Sequence, residues 1–148
     1  MSPEESPSQD PEEPKPFLLL NRQRKLRIDR RGLECFLEDL IEEISPLGFF
    51  SVVMVSDRVI RRHNANYRGD DRPTDVLSFP GDEDYLGDIL ISTETAYKQV
   101  RKSQTLDFEA NLKRLALHGV LHLMGYDHET DDGAMRTLER RLRRRFRC

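Results

Sequence analysis

Hydrophobic and polar positions alternate along this chain between short apolar runs and longer stretches with helical spacing. Phe17 to Leu20 is an apolar run bounded by Pro16 and Asn21, which predicts a first strand. Asp29 can cap a helix from about Arg30 to Ile44, where Leu33, Phe36, Leu37, Leu40, Ile41 and Ile44 recur on one face before Pro46 and Gly48 stop it. Phe49 to Val55 is aromatic and β-branched, the composition of a buried strand, and Ser56 or Asp57 then caps a helix to about Asn66. Tyr67 to Pro80 reads as a polar loop with Gly69 and Pro73 that leads into a short strand at Val76 to Phe79. Leu86 to Ser92 predicts another strand, and Thr93 to Gln104 a helix. Asp107 caps a further helix ending near Met124, and Asp131 to Phe146 predicts a last one with Met135, Leu138, Leu142 and Phe146 as its apolar stripe. At 148 residues the pattern fits one domain with one core.

Residues 1–16 stand outside that pattern. They hold five of the eight prolines, five acidic residues and almost nothing apolar, so they cannot repay the entropy of ordering and are expected to form a disordered tail before a domain over 17–148. An acidic, proline-rich start is neither a signal nor a transit peptide, and no apolar run approaches the roughly 18 residues a membrane span needs. Cys35 and Cys148 make no disulfide framework, so a cytoplasmic location is expected. The net charge of −3 hides an asymmetry: residues 136–148 carry seven arginines against Glu139.

Chemistry concentrates between His118 and His128, which holds three of the four histidines. On a helix, His118 and His122 lie at i and i+4 and project from one face. Gly125 can then take a left-handed conformation and turn the chain so that His128 comes back towards them. Three imidazoles with a fourth position left to water is the pattern of a catalytic zinc site. The spacing matches the metzincin motif H-E-x-x-H-x-x-G-x-x-H at every histidine and at the glycine, but Gly119 stands where those peptidases carry the glutamate base.

Four ordered motifs then carry a resemblance: Asn64-x-x-Tyr67-Arg68-Gly69, Pro73-Thr74-Asp75-Val76-Leu77-Ser78-Phe79-Pro80, Leu86-Gly87-Asp88-Ile89 and the histidine segment through Gly125-Tyr126-Asp127-His128. Over about residues 17 to 146 the chain resembles the YbeY-type endoribonucleases. That resemblance implies an α/β (α+β) fold, a single domain with a small mixed sheet flanked by helices. It implies one zinc ion held by His118, His122 and His128, with Arg68 and His118 as catalytic residues. The activity implied is cleavage of single-stranded RNA, with rRNA of the small ribosomal subunit as substrate in 16S rRNA 3′-end maturation and ribosome quality control.

The residue chemistry agrees in part. Zinc can lower the pKa of bound water to about 7 without a strong separate base, and the planar guanidinium of Arg68 can grip two oxygens of a phosphate on which charge is building. For the general base Asp127 and Asp88 are both candidates, and each is equally suited to accept from a ligand imidazole N–H. His63 is given no role. RNA contacts are expected from the Arg68 and Arg72 loop, with the basic segment from Arg22 to Arg30 and the C-terminal arginines as further candidates. With no tryptophan, backbone-led recognition is expected over base readout. Two other classes stay open at this point: a zinc peptidase, and a zinc-stabilised ribosome-binding module.

Overall fold

A computed structural model describes residues 15–127 and 129–148. Most of the expected tail and the expected ligand His128 therefore lie outside the described residues. The elements follow in the order β1 (Phe17–Asn21), α1 (Arg30–Ile44), β2 (Phe49–Val55), α2 (Asp57–Arg68), β3 (Val76–Pro80), β4 (Tyr85–Ser92), α3 (Thr93–Arg101), α4 (Phe108–Leu123) and α5 (Ala134–Phe146). One four-stranded sheet runs β1-β2-β4-β3. β1, β2 and β4 are parallel, and the edge strand β3 is antiparallel to β4, so the sheet is mixed as expected.

Strand periodicity decides what each face meets. Phe17 and Leu19, Phe50, Val52 and Met54, and Ile89 and Ile91 point to the face covered by α1 and α4, where they bury against Leu33, Leu37 and Leu40 and against Leu112, Leu115 and Leu117. On the opposite face, towards β3, Ile60 of α2 packs with Leu77 and Leu90. Among the described residues no helix is long and apolar enough to cross a membrane.

Several boundaries differ from the sequence expectation, each for a local polar reason. α3 stops at Arg101 rather than Gln104 because the Ser103 hydroxyl takes the N–H groups of Thr105 and Leu106 and closes a turn. α5 begins at Ala134 rather than Asp131, since the Asp131 carboxylate accepts from the main-chain N–H groups of Gly133 and Met135 ahead of the helix. The αL residue that ends α1 is Ser45, just ahead of Pro46. The change that matters for function is in α2. It runs two residues past Asn66, so Arg68 is its last helical residue and Gly69, at φ 72°, turns the chain.

α4 lies against β3 and β4 so closely that one side chain is excluded. A Cβ built on Gly119 would stand 2.6 Å from Cγ2 of the fully buried Ile89. Position 119 thus faces the sheet, and the missing peptidase glutamate has a packing explanation: a carboxylate there would be buried against isoleucine. Gly119→Ala is expected to destabilise the fold by about 1–3 kcal/mol through overpacking, lowering the thermal midpoint. An unchanged midpoint would show that the helix can lift off the sheet at no cost.

Candidate active site

The Asp107 side chain caps α4 by accepting from Ala110 N–H at 2.7 Å, and the helix carries His118 and His122 one turn apart on one face. Their ring centroids are 4.6 Å apart. Both are half-buried in the wall of a cleft of about 500 Å³. Nδ1 of His118 stands 2.8 Å from Oε2 of Glu139, which reaches across from α5. A carboxylate there can only accept from a neutral ring, so it fixes the tautomer with the proton on Nδ1 and the lone pair on Nε2. Glu139 escaped the sequence reading, although it left a trace: it is the one acidic residue among the seven arginines of 136–148.

Beyond α4 the chain turns as the glycine suggested. Gly125 has φ 100°, and Tyr126 N–H bonds back to the Leu121 carbonyl at 3.1 Å. Asp127 and Glu129 both reach the cleft. One Asp127 oxygen accepts from Glu129 N–H at 2.9 Å. The described residues contain no group of three or more His, Cys, Asp or Glu side chains arranged to hold a metal ion. Two adjacent imidazoles, one oriented by a carboxylate, are nonetheless donors of the kind zinc accepts, and they need further ligands from elsewhere to complete a set.

Arg68, also on the cleft wall, comes from the end of α2, where a cation is favoured by the helix dipole. Its position is set from both ends of that helix. At the start, Ser92 and Thr95 hydroxyls and the Lys98 ammonium converge on the Asp57 carboxylate. Burial alone would raise the pKa of Asp57, but these donors outweigh it and hold the group below its usual value. At the other end, buried Asn64 donates to the Arg72 carbonyl at 2.8 Å and ties down the following loop. Among the described residues the Arg68 guanidinium makes no hydrogen bond or ion pair, and its side chain is exposed.

The loop's other arginine is placed differently. Arg72 pairs with Asp70 through two bonds of 2.8 and 2.9 Å and is absent from the cleft wall, so of the two loop arginines named from the sequence only Arg68 is positioned there. The Arg22 to Arg30 segment is also partly committed: Lys25 bonds Glu94 at 3.0 Å, and Arg30 donates to the Leu19 carbonyl. Asp88 is excluded as a base at this cleft. It lies on the other sheet face, where the Ser51 and Tyr85 hydroxyls donate to it. That leaves Asp127 and adds Glu129, which the sequence reading passed over beside His128. His63 packs edge-on to Phe79 and is not among the residues lining this cleft.

The family profile described as endoribonuclease YbeY matches residues 19–147. The endoribonuclease YbeY of Solibacter usitatus is 40% identical over 123 residues, covering 82% of each chain. That of Aquifex aeolicus is 42% identical over 118 residues, covering 73% of this chain and 74% of its own. The solution structure of a Thermotoga maritima protein superposes with a TM-score of 0.62 at 31% identity, covering 88% of this chain and 91% of that one.

Proposed function

This chain belongs to the YbeY endoribonuclease family, and from that premise we propose that it is a zinc-dependent hydrolase of single-stranded RNA that acts in the cytoplasm on the 3′ end of 16S rRNA and in ribosome quality control. The observation that carries the chemical part is one cleft whose wall holds the exposed guanidinium of Arg68 together with the His118 and His122 pair. Zinc would be held by His118, His122 and, from the sequence, His128, and would supply Lewis acidity and a water of lowered pKa.

The chain's own residues account for the remaining work. Arg68 binds two non-bridging oxygens of the scissile phosphate and opposes the charge that builds as water attacks phosphorus and the bond to the leaving ribose oxygen breaks. Asp127 and Glu129, which line the same cleft, are the carboxylates that would take the proton from that water. Glu139 keeps His118 in the tautomer a metal needs. Few aromatic faces line the cleft, which supports recognition of the backbone over the bases. The peptidase alternative loses its base at Gly119 for the packing reason given above.

A metal-replete sample offered RNA and casein, each with and without chelator, tests the reading. RNA should be cut only without chelator, and casein never. Casein cleavage would move the protein to the peptidase class, and binding of RNA without cleavage would leave the ribosome-binding module. Glu139→Gln is expected to weaken zinc affinity by about 10–100-fold in competition with a metal indicator, with helix content preserved. Wild-type affinity would assign the contact to holding α5 alone.

A further inference from the structure

The C-terminal arginines divide in the structure, and the division suggests a use. Arg145 turns away, lying over the Phe146 ring with its Nε 3.7 Å from Glu43. Arg140, Arg143 and Arg144, at i, i+3 and i+4 on α5, instead share the wall of one open cavity of about 320 Å³ with Arg147, the left-handed residue just past the helix end. All four are exposed, and among the described residues none forms an ion pair with an Asp or Glu side chain. Arg143 donates to the main-chain oxygen of Cys148 at 3.1 Å.

Two packed helices link this cavity to the cleft residues. On α5, Arg143 lies one turn beyond Glu139, which holds His118. On α4, half-buried Arg114 lies one turn before His118, fixed by a 2.9 Å bond to Asn111. Burial, and next the neighbouring Arg143, hold the Arg114 guanidinium below its usual pKa, with Asp75 and Glu139 offsetting part of the effect. From His118 and Glu139 to the far arginines is roughly two helical turns, or about 11 Å.

We infer that Arg140, Arg143, Arg144 and Arg147, backed by Arg114, form a second phosphate-binding subsite that holds the RNA backbone a few nucleotides from the bond being cut. The inference rests on the hydrolase reading above and adds to it a length requirement. A polyanion threaded from the cleft along α5 meets repeated phosphates with repeated guanidinium groups, which bind without regard to sequence. A dinucleotide filling only the cleft would not reach them.

Two variants test it: Arg140, Arg143, Arg144 and Arg147 all changed to Gln, and all changed to Lys. Fluorescence anisotropy reads binding of a single-stranded RNA of about 12 nucleotides, a length single-strand sites commonly cover, before turnover. Cleavage of that RNA and of a dinucleotide is then measured on the same samples. The Gln variant should bind the longer RNA about tenfold or more weakly, with a log Kd against log salt slope shallower by about 2 to 3, and should lose most of the preference for the longer substrate. The Lys variant should recover much of the salt slope. Wild-type affinity and slope in the Gln variant, with circular dichroism showing it folded, would overturn the subsite. Binding without cleavage by the wild type would instead overturn the hydrolase reading and leave the subsite standing.

Discussion

Arg68→Ala is expected to lower kcat for single-stranded RNA by roughly a hundredfold or more, with zinc still bound and the fold intact. The size follows from losing one preorganised donor aimed at charge that develops only in the transition state. The expectation that folding is spared follows from geometry: the side chain is exposed and makes no hydrogen bond among the described residues, while α2 is fixed by Asp57 at one end and Asn64 at the other. Arg68→Lys should restore little, because an ammonium brings the charge without the two-pronged planar grip. Single-turnover cleavage by the wild type and both variants, with zinc content measured in each, decides the matter. Wild-type rates in the alanine variant would remove Arg68 from the mechanism, and loss of zinc would reassign it to structure.

Removing a ligand should cost more. His122→Ala is expected to abolish cleavage and to drop zinc from one equivalent per chain to a small fraction of one by elemental analysis. Because binding to the folded state stabilises it, wild-type protein with zinc at about 100 times its Kd should gain about 2.7 kcal/mol over chelated protein. That is a rise of several degrees in thermal midpoint for a domain of this size. In the variant, chelator should leave the midpoint unmoved. If His122→Ala keeps full zinc occupancy, the ligand assignment fails.

The legible part of this protein was local. The stripe of Leu33, Phe36, Leu37 and Leu40 gave α1, with Asp29 accepting from Gly32 N–H as its cap; Asp107 did the same for α4, and the i, i+4 spacing of His118 and His122 required that they share a face. Gly125 at positive φ was likewise readable, since the need for it arises from the backbone of its own turn. The boundaries that shifted were set by side-chain oxygens taking main-chain N–H groups, as at Ser103 and Asp131, a competition that hydrophobic spacing does not register.

Sequence by itself thus determined the helices and strands, the metal-suited pair on α4, and, through four ordered motifs, the family. Tertiary structure decided which polar groups meet. Asp88 and Asp127 were equal candidates along the chain until alternation across β4 sent Asp88 to the far face of the sheet. Arg68 and Arg72, four residues apart, were separated by the end of α2, which left one in the cleft and gave the other to Asp70. Glu139 became part of the site only because α5 packs beside α4, a contact across 21 residues of sequence. Backbone propensity acts over a few neighbours and can be read in order. The pairing of a carboxylate with an imidazole depends on how two buried faces fit, and that fit is a property of the assembled core.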